Sequence, residues 1–194
     1  MKITKKSLNH IPKEWFFFNP TNNLYDKYFF KISNKTGVIF FYEHKEEKKE
    51  FFKKIRPYIM WCKGRGIDFF IQSSIYWANK YHALGIFFDK KNFIISNKLY
   101  FNTIKKRFLT AGKIHNLTEA KEFGGLLNLV FISNVFETST YPEKKKLSMF
   151  NFFSLCFFLK KKKNFALGGV NKNNFKKLKN KYLYGFGAIS YFKN

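Results

Sequence analysis

The chain has 194 residues, 45% of them hydrophobic, and its 37 basic and 12 acidic side chains give a formal net charge of +25. This length and hydrophobic content suit one domain with a sizeable core, so we expect residues 1–194 to form a single domain. The two cysteines lie far apart in the sequence, which argues against a disulfide framework. The sequence shows neither a signal-peptide-like segment nor an apolar run long enough to span a membrane, so we expect a soluble cytoplasmic protein.

Short apolar runs alternate with helical patterns along the chain. The runs predicted as strands are WFFF (15–18), GVIFFY (37–42), IDFFI (67–71), LGIFF (84–88), RFLTAG (107–112), LVFIS (129–133), FALGG (165–169) and YGFGAIS (184–190). The segments predicted as helices are 24–32, 46–66, 74–82, 115–123, 148–159 and 171–181. Pro57 is expected to kink or restart the second helix, and Asn116 and Asn171 are expected to cap the fourth and the sixth. Residues 90–106 are ambiguous.

The pattern of the strands predicts the fold class. They lack polar alternation, which indicates a parallel sheet with both faces covered by helices. Eight such strands alternating with helices predict an α/β fold of the TIM-barrel type, a single-domain (β/α)8 barrel. We expect this barrel to be shortened at its C-terminal helix, because the sequence stops soon after the eighth strand. An open doubly wound sheet is the competing layout, and the lack of GxGxxG opening a helix after the first strand weakens it.

Four stretches in the second half of the chain carry a resemblance to a known family. They are IHNLTEA (114–120), FISNVFETSTYP (131–142), FALGGVN (165–171) and YGFGAIS (184–190). In order they resemble the thiamine phosphate synthase/TenI family, with a weaker likeness over the rest of the chain. The resemblance implies a TIM-barrel protein of thiamine biosynthesis. It would be a transferase that couples thiazole phosphate to hydroxymethylpyrimidine diphosphate, a thiazole tautomerase, or a non-catalytic thiazole-phosphate binder.

The resemblance places a phosphate-binding site after the last two strands. Gly168 and Gly169 end the predicted seventh strand, and Ile189 and Ser190 end the eighth. All four match positions that the family uses for the thiazole phosphate. The residue types suit this role, because a phosphate needs several backbone amides around it and a side chain there would block them.

Further candidates lie after the fifth and sixth strands. Thr138 and Thr140 match threonines that the synthases use near their substrates, and hydroxyls at i and i+2 of an extended loop lie on the same side. His115 matches a histidine that acts as an acid/base in the TenI branch, and imidazole titrates near neutrality, as proton shuttling requires. Lys113 stands where the synthase has a serine, and it is the second candidate catalytic residue.

The stretches after strands two to four depart from the family pattern. His44 aligns with a basic residue of the family, Gln72 and Ser73 replace an Asn-Asp pair, and Asn92 falls near a metal-binding aspartate. The family uses Mg²⁺, a cation that prefers carboxylate oxygens, and Asp89 is a displaced substitute for two such ligands. We therefore predict that the metal ligands are absent, and we keep Gln72 and His44 as candidate substrate-binding residues.

The high charge has two interpretations. Nearly all of it is lysine, whereas arginine is the residue preferred for phosphate forks and nucleic acid. Joint enrichment in Lys, Asn, Ile, Phe and Tyr indicates the codon bias of an AT-rich genome, so we expect small phosphorylated substrates as partners, with no nucleic acid and no membrane. A basic nucleic-acid-binding protein is the alternative of another class. It would gather its basic side chains on one face beside exposed aromatic rings.

Overall fold

The predicted strands pair in chain order around a closed barrel. This computed structural model describes residues 8, 10–22, 25–43, 47–89, 98–138 and 145–193. The strands are β1 (Glu14–Phe18), β2 (Thr36–Phe40), β3 (Phe69–Gln72), β4 (Gly85–Phe88), β5 (Leu109–Ile114), β6 (Leu129–Ile132), β7 (Lys163–Leu167) and β8 (Leu183–Ala188). All neighbours are parallel, and β8 closes the ring on β1 with Glu14 opposite Phe186. The predicted TIM barrel is confirmed, and the open sheet is excluded.

A helix follows each of the first seven strands. The helices are α1 (Asp26–Phe29), α2 (Glu47–Gly64), α3 (Ile75–Tyr81), α4 (Lys98–Lys105), α5 (Leu117–Phe123), α6 (Met149–Phe158) and α7 (Lys172–Phe175). After β8 the described chain forms only a short 3₁₀ turn, Ser190–Lys193. Helix α2 continues through Pro57, so the predicted restart is wrong there. Among the described helices, none is both long enough and apolar enough to cross a membrane.

Helix α7 is much shorter than the predicted helix over 171–181. Asn171 caps it as predicted, accepting hydrogen bonds from the amides of Asn173 and Asn174 at 3.0 and 2.9 Å. Asparagine favours such caps over helix interiors, because its side chain competes for backbone groups. The following residues carry four lysines and no acidic partner between 176 and 181, and like charges at helical spacing oppose further turns. The helix therefore ends after one turn.

Aromatic rings fill the interior of the barrel. The interior cluster includes Trp15, Phe17, Phe41, Phe70, Phe87, Phe131 and Phe165, all of them buried. The indole of Trp15 meets the ring of Phe70 edge to face, with the centroids 5.3 Å apart. Such edge-to-face geometry is favoured by the charge distribution of aromatic rings. The side chains that point outward from the strands form a second apolar cluster, against which the helices pack.

Glycines on the strands make room for these rings. A β-carbon at Gly37 would overlap the indole of Trp15, and one at Gly187 would lie 2.7 Å from the ring of Phe17. At Gly85 a β-carbon would overlap both the ring of Phe70 and the carbonyl oxygen of Leu109. Neither neighbour can yield easily, because one is a buried ring and the other is strand backbone. Small residues are therefore required wherever a large ring fills the adjacent space.

We expect Gly85→Ala to lower the free energy of unfolding by about 1–3 kcal/mol, the range for overpacking a core. The matched control is Gly64→Ala at the end of α2, where a β-carbon meets nothing within 4 Å. The control should keep or slightly raise stability, since alanine is the better helix former. Urea unfolding followed by circular dichroism measures both. Equal stability of the two variants would contradict this account of the core.

Candidate functional site

A cavity of about 40 Å³ opens at the carboxyl mouth of the barrel, where the strands end. Its lining contains six of the predicted site residues: Lys113, Thr138, Gly168, Gly169, Ile189 and Ser190. These residues come from four different strand-to-helix connections or strand ends. The fold therefore brings together residues that lie up to 77 positions apart, from 113 to 190, in one small cavity.

The loop after β7 is shaped by the loop after β6. Gly168 and Gly169 have φ angles of 90° and 63°, in the left-handed region that favours glycine. The amide of Phe136 donates to the carbonyl oxygen of Gly168 at 3.0 Å, and the amide of Val135 donates to that of Leu167 at the same distance. A β-carbon at Gly169 would overlap the carbonyl oxygen of Glu137. The two glycines are thus needed by the packing of the loops themselves.

Several residues that line the cavity have backbone amides without an acceptor among the described residues. The carbonyl oxygen of Gly169 accepts a hydrogen bond from the side-chain amide of Asn174 at 2.7 Å, which fixes the loop. Among the described residues, no acceptor takes the amide hydrogens of Gly168, Gly169, Ile189 or Ser190. Amides at the start of a 3₁₀ turn, such as that of Ser190, lack a partner within the turn. This arrangement suits an anion, since unsatisfied amides in one concave place attract negative charge.

Lys113 brings a positive charge to the same cavity. It follows Leu109 and Ala111 along β5, so its side chain points into the barrel. Its ammonium nitrogen lies 5.3 Å from the ring centroids of both Phe17 and Phe41. The charge therefore rests on top of the aromatic core, on the side that faces the mouth.

His115 lies next to the cavity lining and is held by two contacts. Its Nδ1 lies 2.9 Å from the carbonyl oxygen of Ser133, which lines the cavity. A carbonyl oxygen can only accept, so Nδ1 carries the hydrogen and Nε2 is the basic nitrogen of the neutral ring. The backbone amide of His115 donates to Glu119 Oε2 at 2.8 Å. The predicted cap of α5 is confirmed, because Asn116 Oδ1 accepts from the amide of Glu119 at 2.9 Å. His115 itself is not part of the cavity lining.

Gln72 lies in the opposite half of the mouth and ties three strand ends together. Its side chain is buried, and its Oε1 accepts a hydrogen bond from the amide of Tyr42 at 3.0 Å. Its Nε2 donates to Asp89 Oδ2 at 3.2 Å. Burial raises the pKa of the Tyr42 phenol, and the carboxylate of Asp89 raises it further. Gln72 therefore joins the ends of β2, β3 and β4, and its role as a substrate-binding residue stays a prediction.

The described residues in this half offer a poor site for Mg²⁺. Asp89 Oδ2 accepts from Gln72, and the amide oxygen of Gln72 already accepts from Tyr42. Within the part of the chain that the structure describes, no three His, Cys, Asp or Glu side chains form a group that could hold a metal. Mg²⁺ prefers several carboxylate oxygens in octahedral geometry, so these residues do not fit it. The predicted residues His44, Asn92 and Thr140 lie outside the described residues.

Two polar residues of the cavity are absent from the sequence-based candidates. Ser133 and Asn134 are buried directly after β6, and the Ser133 hydroxyl is hydrogen-bonded to Asn134 Oδ1. Asn134 also fills the space beside Gly168, where a β-carbon would lie 2.8 Å from its Oδ1. The signal that could have revealed them is their position, two polar residues immediately after a wholly apolar strand.

Comparisons with known proteins agree with the barrel. The model of the thiamine monophosphate synthase family matches residues 29–191. The chain resembles thiamine phosphate pyrophosphorylase from Pyrococcus furiosus, with 14% identity, a TM-score of 0.67, and coverage of 95% of this chain and 88% of that one. The thiamine phosphate pyrophosphorylase from Bacteroides thetaiotaomicron is 14% identical, with a TM-score of 0.56. The match covers 93% of this chain and 83% of that one. Citrate synthase SbnG is 10% identical, with a TM-score of 0.60, and the match covers 96% of this chain and 90% of that one. Because enzymes of different activity match this well at low identity, similarity to these structures establishes the fold alone. No curated protein matches the chain significantly.

The hydrogen bonds by which Gln72 joins three strand ends can be tested through the pH dependence of stability. In Gln72→Glu the new carboxylate would face Asp89, and repulsion would raise the pKa of a carboxyl group in the folded state above its unfolded value. A raised carboxyl pKa means stability is retained at low pH and is lost as the pH rises through the folded value. We expect the variant to match wild type near pH 4 and to be about 1–3 kcal/mol less stable near pH 7. A pH-independent difference in urea unfolding would contradict the contact with Asp89.

Proposed function

The chain belongs to the thiamine monophosphate synthase family, and we propose that it binds a phosphorylated thiazole at the carboxyl mouth of its barrel. One observation carries the proposal. Gly168, Gly169, Ile189 and Ser190 line one cavity together with Lys113, and the amides of the four residues have no acceptor among the described residues. In barrels of this type the loops after strands seven and eight commonly bind phosphate.

The cavity suits the phosphate end of such a ligand. Phosphate oxygens would accept hydrogen bonds from the four amides and from the Ser190 hydroxyl, and Lys113 would balance their charge. The apolar side chains of Phe17 and Leu167 also line the cavity and would contact the thiazole ring. Thr138 would supply a hydroxyl at the edge of the ring.

A coupling reaction would need further groups in the other half of the mouth. In that reaction a thiazole nitrogen forms a bond to the methylene carbon of the pyrimidine, and the bonding electrons of the carbon–oxygen bond leave with diphosphate. The departing charge requires electrostatic stabilisation. Because the described residues fit Mg²⁺ poorly, we assign that role to the ammonium group of Lys113 and to other cations near the mouth. We therefore propose a synthase-like transferase with slow turnover.

A tautomerase is the second candidate, and His115 favours it. Its Nδ1 donates to the carbonyl oxygen of Ser133, which orients the ring beside the cavity and leaves Nε2 as the base. A neutral imidazole in this tautomer can take a proton from one thiazole carbon and return it to another position. If His115 is the base, the rate should fall at low pH as the imidazole becomes protonated, and the His115→Asn variant should lose this activity. These two results would distinguish a tautomerase from a binder without catalysis.

Thiazole phosphate should bind without added metal, and Lys113→Met should raise its Kd at least about tenfold because a charge-assisted contact is lost. Isothermal titration calorimetry in EDTA measures both. Substitutions at Gly168 or Gly169 are avoided, since they would disturb the packing of the loops. Lys53→Met, an exposed lysine on α2, is the matched control and should leave the Kd unchanged. Equal loss in both variants, or no binding by wild type, would contradict the assignment.

Mg²⁺ should change thiamine phosphate formation little. Initial rates with both substrates are compared in EDTA and in millimolar Mg²⁺, with the Lys113→Met variant in parallel. We expect slow formation that depends on Lys113 more than on the metal, because the described carboxylates do not form a site. Fast synthesis that requires Mg²⁺ would overturn this prediction, and Asp89 would then be the first residue to substitute.

A further inference from the structure

The amino mouth of the barrel, opposite the candidate site, carries a dense group of lysines. A recess of about 410 Å³ opens there, beside the first residues of β7 and β8. We use the term basic patch for its five lysines and the two adjoining phenylalanines: Lys160, Lys161, Lys162, Lys163, Lys181, Phe157 and Phe158. One of the two rings adjoins the lysines directly, since the Lys160 ammonium lies 4.7 Å from the ring centroid of Phe157.

The basic patch lies in a strongly basic part of the chain. From residue 144 to residue 194 the sequence contains thirteen lysines and neither aspartate nor glutamate. None of the five lysines of the patch forms an ion pair with a described residue. This stretch supplies about half of the net charge of +25 in about a quarter of the chain. Five of the thirteen lysines lie together in the basic patch, which is a local density of charge that codon bias alone does not predict.

Two ammonium groups are crowded at the edge of this patch. The Nζ atoms of Lys105 and Lys162 both donate to the carbonyl oxygen of Gly125, each at 3.1 Å. Burial lowers the pKa of Lys162, and repulsion from Lys105 lowers it further. Burial also lowers the pKa of Lys105. Two ammonium groups share one carbonyl acceptor here, so negative charge placed beside them would be stabilising.

Apolar surface adjoins the charge at the end of α6. Phe157 and Phe158 occupy its last turn, and 55% and 48% of their surface is exposed. Among the described residues, no aromatic ring contacts Phe158. Large exposed apolar side chains beside lysines are the features of surfaces that lie in a lipid interface, where rings enter the acyl boundary and ammonium groups reach the head groups.

Two other occupants fit less well. A second copy of the chain would set one basic patch against another with no carboxylate between them. Single-stranded nucleic acid would need ring faces on which bases can stack. Lysine ammonium groups already cover the faces of the two tyrosine rings at this mouth, at 5.0 Å over Tyr182 and 3.9 Å over Tyr184. The patch also lacks arginine, the residue best suited to phosphate forks.

We propose that the basic patch docks on the surface of a bilayer that contains anionic lipids, with Phe157 and Phe158 entering the interface. This departs from the expectation of no membrane partner, and it does not depend on the function of the carboxyl mouth. Lysines close to an anionic surface each add a similar increment of attraction, so five in one patch give substantial binding. The attraction falls with salt, because the lipid charges are screened within about 10 Å at 0.1 M ionic strength.

Sedimentation with vesicles tests the proposal on the intact chain. One set is phosphatidylcholine alone, and in the other roughly one lipid in three is phosphatidylserine. Wild type should bind the anionic vesicles only, and Lys160→Glu/Lys161→Glu should lower the partition coefficient at least about tenfold. The matched control, Lys49→Glu/Lys53→Glu on the opposite side of the barrel, makes the same change in net charge at exposed positions and should lower it less than about threefold.

The apolar contribution has its own pair of variants. Phe158→Ser should weaken vesicle binding at least about threefold, because an inserted ring is lost. Phe150→Ser changes an exposed ring about 12 Å away along the same helix and should have no effect. Circular dichroism shows whether each variant is folded.

Three results would overturn the proposal. They are binding that is equal on neutral vesicles, equal losses in the two lysine pairs, and equal effects of the two phenylalanine variants. Displacement from vesicles by single-stranded RNA at lower concentration than by anionic lipid would assign the patch to nucleic acid instead.

Discussion

The fixed volume inside eight parallel strands is the constraint on which the rest of this structure depends. An eight-stranded barrel leaves an interior just wide enough for side chains to fill, and this chain fills it with rings. The space for Trp15 and Phe70 comes from Gly37 and Gly85 on neighbouring strands, where any β-carbon would overlap the ring. The packing of the interior therefore depends on pairs of residues, in which a large ring on one strand fills the space left by a glycine on the next strand.

The same packing determines what reaches the carboxyl mouth. Rings occupy the lower positions, so the next inward position on β5 places Lys113 above them, nearer the carboxyl mouth. The two halves of the mouth then differ in character. Around β7 and β8 the backbone offers amides without acceptors, whereas around β2, β3 and β4 the side chain of Gln72 uses its hydrogen bonds to join strand ends. The first half suits a phosphate, and the second is occupied by its own contacts.

Much of the fold could be predicted from the sequence because its signals are local. Each apolar run and each cap, such as Asn116 before α5, is decided by residues within a few positions. The length of α7 could not be predicted well, since repeated lysines without acids oppose a helix that its spacing favours. Six of the residues predicted from the family pattern line one cavity, and their role in binding stays a prediction. Ser133 and Asn134 could have been found from their position directly after an apolar strand. The hydrogen bonds of Gln72 join residues 30 and 17 positions away in the chain, which no local pattern shows.

The two loops at the phosphate half are joined along their backbones, from Val135 to Leu167 and from Phe136 to Gly168. Their closeness leaves no room for a side chain at Gly169 unless the carbonyl of Glu137 moves. A change in either loop therefore requires a matching change in the other, and the two segments must diversify together during evolution. Among relatives of this protein, insertions after the sixth strand should coincide with loss of the glycine pair after the seventh.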